Sequence, residues 1–264
     1  MNALDPHAFH GLDGRPRSEK LRSSGLTMVA DWGLGPHAQS DLLMTGAPFF
    51  DLAKIAVGIT RLLPDDLLRD KITAYRQDQV EPFPGGQYLE YAEIEGKAER
   101  YLPAVVEVGY RWVEVSDNMA TVTLLWKLDM IRQATETFDL KVLGEVGQKE
   151  GLQTTVPMVD DAQACMDAGA RLILLEAAEL IGDDPAVTEA VEAVIHHIGL
   201  DQVMFELPGP WIEGVTHESI HRMRRRLVDQ YGPEVNIGNV EPTDLISLEA
   251  YRCGLGVNAG QKCP

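Results

Sequence analysis

From residue 25 onward, short apolar runs alternate with longer amphipathic stretches. Eight of the runs read as strands: GLTMVAD (25–31), FDLAKIAV (50–57), VEPF (80–83), RWVEVS (111–116), LKVLGEV (140–146), RLILLEA (171–177), QVMFEL (202–207) and EVNIGNV (234–240). Their β-branched and aliphatic content predicts strands buried on both faces. Helical patterns lie between them. PDDLLRDKITAYRQ (64–77) opens on Pro and two acids, as a helix N-terminus prefers. TLLWKLDMIRQATE (123–136) places Leu124, Leu128 and Ile131 on one face. DDPAVTEAVEAVIHHIG (183–199) sets Val187, Val191, Val194 and Ile198 at helical spacing and ends on Gly199, a natural residue to follow a helix. Strands alternating with helices in this way predict an α/β fold, a (β/α)8 TIM barrel. The competing open, doubly wound sheet expects a glycine-rich turn after its first strand, and no GxGxxG occurs there.

This reading divides the chain into an N-terminal arm (1–24), one barrel domain (25–256) and a short tail (257–264). The arm is rich in Pro, Gly, His and Arg and has no apolar period. With 264 residues, 45% of them apolar, the chain can bury a full core. Its formal net charge of −18 leaves no basic face for nucleic acid and disfavours an acidic membrane surface. No apolar run is long enough to span a bilayer, and the first residues lack a signal-peptide pattern. Cys165, Cys253 and Cys263 form no CxxC pair. Reduced thiols and a cytoplasmic location are therefore expected.

The chemistry gathers at the predicted strand ends. The first strand stops at Asp31. Later strands carry Glu114, Glu145, Glu176 and Glu206, at intervals of 31, 31 and 30 residues, each one βα unit. Barrel active sites lie at the C-terminal ends of the strands, so these carboxylates are expected around one mouth. Crowded carboxylates repel one another and call for a lysine or a divalent cation. An all-oxygen ligand set points to Mg²⁺. Lys54 interrupts the apolar run FDLAKIAV, where it must find an anion or shift its pKa. It is a candidate anion ligand or Schiff-base nucleophile. KVLGEVGQKEG (141–151) ends a strand on Glu145, turns on Gly147 and presents Lys149. Gly85 and Gly86 in FPGG can bring backbone N–H groups close to a ligand. Asn236 and Asn239 lie in NIGNVEP, in the region where barrels often hold phosphate. HESIH (217–221) matches the zinc pattern HExxH. Yet Ile220, Met223, Leu227 and Tyr231 define the buried stripe of that helix. Both histidines then fall on the margin of an outer helix, away from the strand ends.

In order and spacing these motifs resemble the phosphosulfolactate synthase family, over residues 16–256 or so. The likeness runs through GLTMVADWG, through AKIAVGIT with Lys54, Gly58 and Thr60, and through FPGG. It continues in VEVSDN with Glu114, Ser116 and Asp117, in EVGQK with Glu145 and Lys149, in DAGARLILLEA with Glu176 and in VMFELP with Glu206. It closes in YGPEVNIGNVEPTDLISLEAYRCGL with Asn236, Asn239, Glu249 and Arg252. The resemblance implies a Mg²⁺-dependent carbon–sulfur lyase on a (β/α)8 barrel. It would add sulfite to phosphoenolpyruvate to give (2R)-phosphosulfolactate, in coenzyme M biosynthesis. Lys149, Glu145 and Lys54 are then the expected catalytic groups. Metal ligands are expected among Asp31, Glu114, Glu145, Glu176 and Glu206. Lys54, Gly85, Gly86, Ser116, Asp117, Asn236, Asn239 and Arg252 are expected on the substrate anions. A homo-oligomer is also expected. The chain departs from the family pattern at Trp32, Ala178, Cys253 and Gly256, where cations are expected. Arg222 and Arg224 to Arg226 are candidates to replace them across a subunit interface. The alternatives are a related barrel enzyme adding another nucleophile to an enol acceptor, or a non-catalytic relative.

Overall fold

Each of the eight apolar runs overlaps a strand, with ends that differ by at most two residues: β1 (Thr27–Asp31), β2 (Leu52–Ile55), β3 (Glu81–Pro84), β4 (Trp112–Val115), β5 (Lys141–Val146), β6 (Ala170–Glu176), β7 (Val203–Glu206) and β8 (Asn236–Val240). They belong to a computed structural model that describes residue 9 and residues 11–118, 122–147, 156–176, 185–209 and 212–255. Among the described residues ten α-helices alternate with the strands: α1 (Pro36–Gly46), α2 (Ile59–Leu62), α3 (Asp65–Gln77), α4 (Gln87–Ile94), α5 (Tyr101–Val108), α6 (Leu124–Arg132), α7 (Met158–Asp167), α8 (Pro185–Ile198), α9 (His217–Tyr231) and α10 (Leu245–Arg252).

Among the described residues all strand pairings are parallel, in the order β3-β2-β1-β8-β7-β6-β5-β4. The ring closes where β3 and β4 pack side by side, with no ladder between them among the described residues. The sequence gives a reason. β3 reads EPFP, and neither Pro82 nor Pro84 has an N–H to donate. Side chains and one loop amide bridge this seam instead, as described below.

Side chains alternate across the strands with period two. Met28, Leu52, Phe83, Trp112, Leu143, Leu172, Leu174 and Met204 point inward and plug the barrel. Val29, Ala53, Val113, Val142, Ile173, Phe205 and Ile237 belong to the layer beneath the helices. Gly238 makes room for this packing: a Cβ there would lie 2.5 Å from the Met28 methyl carbon, and that side chain would have to shift.

The helices follow the expected stripes with one shift. In α6 the buried residues are Lys127, Met130 and Ile131, while Leu124 and Leu128 are only half-buried. In α9 Thr216 caps the N-terminus reciprocally with Ser219, and Ile220, Met223 and Leu227 face the core. Residues 11–24 form neither helix nor strand and lie against the N-terminal end of the barrel. There Arg17 pairs with Glu234 and Glu249, and Arg22 pairs with Asp51. Among the described residues no helix is long and apolar enough to cross a membrane.

Candidate active site

Two residues beyond the apolar plug, the inward positions turn charged. Leu52 gives way to Lys54, Trp112 to Glu114, Leu143 to Glu145, Leu174 to Glu176 and Met204 to Glu206. All five residues are at most 9% exposed. Lys54 Nζ lies 2.8 Å from Glu114 Oε2 and 2.9 Å from Glu206 Oε1. Burial alone would push the Lys54 ammonium down. The carboxylates of Glu114, Glu206 and Glu145 outweigh it and hold the group well above its ordinary value. Lys54 is therefore a charged partner for anions and a poor Schiff-base nucleophile. Burial pushes the Glu114 carboxyl up to about 7, against the pull of Lys54 and with the help of Glu206 and Glu145.

Glu145, Glu176 and Glu206 each offer a carboxylate oxygen, all within 4.8 Å of one another. Among the described residues this is the one cluster of three side chains with metal-ligating groups. The donor set suits a hard divalent cation such as Mg²⁺. Ionised, the four glutamates oppose a single ammonium within the layer, so an added cation fits its charge as well as its donors.

Asp31 does not join them. It follows the outward phase of β1. Its carboxylate accepts from Lys71, from the Tyr75 hydroxyl at 2.7 Å, and from the amides of Gly33 and Leu34 at 2.8 and 2.7 Å. It anchors α3 and the turn after β1, and it leaves the expected metal set.

Several expected substrate ligands also carry other duties. The Gly85 amide donates to Ile55 O at 3.0 Å and the Gly86 amide to Glu114 Oε1 at 3.0 Å. Neither N–H is left for a ligand, and FPGG instead lets the chain pass close to Lys54, Glu114 and Ser116. Ser116 donates to Glu90 on α4. With the Gly86 contact, this joins β4 to the segment after β3 across the open seam. Asp117 pairs with Lys127 at 3.1 Å. Asn236 opens β8, at the N-terminal end of the barrel, where it bonds Asp201 O, Val203 O and the Leu26 amide. Arg252 lies at the same end, fully buried, donating to Pro233 O at 2.7 Å. Burial and the nearby Arg17 push its guanidinium down to about 9. Both Asn236 and Arg252 are removed from the mouth by the length of a strand. Asn239 stays near the mouth. It is half-buried, with a φ of 53°, where the β1–β8 register skips a residue. Asparagine tolerates that conformation, and such bulges re-aim side chains.

Lys149, Ala178 and Gly256 lie outside the described residues. Trp32 is 41% exposed and donates Nε1–H to Glu241 at 3.2 Å, beyond the end of β8. Arg224 is no free surface cation, because it is buried against Asp244, Ser247 and His221. His217 and His221 sit on outer helix α9, and no cluster of three metal-capable groups among the described residues includes them.

Among the described residues, three buried charged groups escaped the sequence reading: Lys71, Glu90 and Lys127. Each had a signal. Lys71 stands between Leu68 and Tyr75 at helical spacing, and Lys127 between Leu124 and Ile131, so both lysines interrupt apolar stripes. Glu90 follows Leu89 directly after the glycine turn. Burial alone would lower the Lys127 pKa, but the Cys165 sulfur and the carboxylates of Asp161 and Asp117 more than reverse this.

The family profile for (2R)-phospho-3-sulfolactate synthase (ComA) matches residues 15–258. A phosphosulfolactate synthase of Methanothermobacter thermautotrophicus is 30% identical over 251 residues, covering 91% of this chain and 93% of the relative. A phosphosulfolactate synthase of Methanocaldococcus jannaschii is 27% identical over 242 residues, covering 88% and 92%. Among solved structures, 3-hexulose-6-phosphate synthase from Salmonella typhimurium superposes with a TM-score of 0.53 at 8% identity, covering 86% of this chain and 99% of that one. That likeness concerns the barrel alone.

Proposed function

The chain belongs to the (2R)-phospho-3-sulfolactate synthase family, and from that membership we propose that it joins sulfite to phosphoenolpyruvate, giving (2R)-phosphosulfolactate. The observation that carries this reading is the charged layer of Lys54, Glu114, Glu145, Glu176 and Glu206 above the apolar plug.

In this reaction the sulfur lone pair of sulfite forms a bond to C3 of the enol phosphate. The C2–C3 π pair moves toward the substrate carboxylate, and C2 then takes a proton. The bond to phosphate oxygen is kept, so no phosphate is released. Sulfite is already a strong nucleophile. The residues are therefore asked to orient two anions, accommodate developing charge and deliver one proton to one face.

Glu145, Glu176 and Glu206 are the residues that would hold Mg²⁺. When bound, it would supply Lewis-acid stabilisation of the charge that builds on the substrate carboxylate. Lys54 holds Glu114 and Glu206 in place and keeps the mouth from being wholly negative. Asn239 is proposed to donate to a substrate anion. Lys149, just beyond Glu145 in sequence, is proposed to give C2 its proton. A cytoplasmic setting and a homo-oligomeric assembly are part of the same proposal.

The test is the loss of the enol's ultraviolet absorbance when phosphoenolpyruvate is mixed with the protein, Mg²⁺ and sulfite. The reading requires loss that depends on both sulfite and cation. Equal loss without sulfite would assign a different nucleophile, and no loss at all would refute the activity.

A further inference from the structure

Lys127 is fully buried on outer helix α6, outside the charged layer. A lysine ammonium has three N–H donors and no acceptor. Three acceptors meet it: Asp161 Oδ2 on α7 at 2.9 Å, Asp117 Oδ2 after β4 at 3.1 Å, and the backbone carbonyl of Glu145 at 3.2 Å. They come from three stretches of chain that follow one another around the barrel. A buried ion cluster is costly to desolvate, and a well-packed apolar side chain often serves stability as well or better. What an apolar side chain cannot do is grip the main chain of Glu145. That residue is thus held at two points. Its carboxylate stands in the mouth with Glu176 and Glu206, and its carbonyl is tied to Lys127 on the other side of the strand.

We propose that Lys127 is a positioning residue, which sets Glu145 at the place in the mouth where its carboxylate meets those of Glu176 and Glu206 around a divalent cation. This rests on the metal-dependent reading above. Metal sites depend on the groups that orient their ligands, and losing such a group commonly weakens metal binding or activity by about 10–100-fold. Arginine is a poor substitute, because its donors spread over a planar fork and do not converge from one nitrogen.

The test is direct Mn²⁺ titration, read by the electron paramagnetic resonance of the free ion, on wild type, Lys127→Met, Lys127→Arg and Asp161→Asn. Circular dichroism and kcat and KM for phosphoenolpyruvate accompany it. Wild type is measured first. If it binds no Mn²⁺, the metal reading fails, and this inference fails with it. If wild type binds, folded Lys127→Met is expected to bind Mn²⁺ about 10–100-fold more weakly. Its kcat should fall more than its KM changes, and Lys127→Arg should not restore either. Wild-type Mn²⁺ affinity in folded Lys127→Met would overturn the inference. Should Lys127→Met not fold, Asp161→Asn carries the test, since it leaves the lysine but removes one anchoring charge. Weaker Mn²⁺ binding by folded Asp161→Asn supports the proposal, and unchanged affinity overturns it.

Discussion

Lys54 and Glu114 form a buried ion pair in the mouth of the barrel, with Nζ 2.8 Å from Oε2. The same ammonium reaches Glu206 at 2.9 Å. Removing one partner of such a cluster leaves buried charge without compensation. Lys54→Met is therefore expected to cost about 3–5 kcal/mol of stability, read by urea denaturation. Adding Glu114→Gln and Glu206→Gln to it should recover part of that loss. A single variant as stable as wild type would contradict the ion-pair account.

The pH dependence of stability carries a definite sign. Folding raises the Glu114 carboxyl from 4.5 to about 7. Between those values the folded state binds more protons here than the unfolded state. The contribution of this group to stability is thus greatest below about pH 4.5 and falls as pH rises toward 7. The raised Lys54 group acts with the same sign but only at alkaline pH, outside this window. In paired denaturation curves, wild type should lose stability relative to Glu114→Gln on going from pH 4.5 to 7. Parallel profiles would show that Glu114 is not shifted.

Gly86 offers a purely steric test. Its backbone is helical, with φ −64° and ψ −29°, so alanine meets no conformational penalty. A Cβ there would instead collide with Ser116 Oγ and come within 3.0 Å of Glu114 Oε1. Gly86→Ala is expected to destabilise by about 1–3 kcal/mol through overpacking and to lower kcat by displacing Glu114. An unchanged melting temperature would mean that the seam between β3 and β4 has room to spare.

For Lys149 the expectation follows from its proposed proton. Lys149→Met should lower kcat by at least about 10²-fold, the scale of general acid catalysis. A variant with wild-type kcat and only a raised KM would make Lys149 a binding residue.

The strands were legible because runs buried on both faces stand out from amphipathic helices. The spacing of the four glutamates was legible because one βα unit has a nearly constant length. Strand phase was harder to read. When both faces of a strand are apolar there is no polar alternation to show which residues point inward, so Asp31 and Glu206 looked alike. In the barrel, Glu206 follows inward Met204, whereas Asp31 follows the outward phase of Val29. Asn236 reads as part of the phosphate-holding region after the eighth strand, and Arg252 reaches the mouth only by the family resemblance, whereas in the barrel Asn236 opens its strand and so belongs to the other end. Lys127 stands in line with Leu124 and Ile131, but the alternative face through Leu128 reads as more apolar; in the barrel the α6 stripe is rotated by one residue, with Leu128 partly outward and the lysine in. The duties of FPGG depend on groups that meet across the seam from β4, far off in sequence.

The central claim is that the charged mouth adds sulfite to C3 and a proton to C2 while phosphate stays attached. The most direct measurement runs the reaction in D₂O with sulfite, phosphoenolpyruvate and Mg²⁺, and follows it by ³¹P NMR and mass spectrometry. The account predicts one new phosphate ester whose mass equals the two substrates joined, with a single deuterium at C2, no free phosphate, and no product after exhaustive chelation. Release of inorganic phosphate, absence of deuterium from C2, or full conversion in the chelated sample would contradict it.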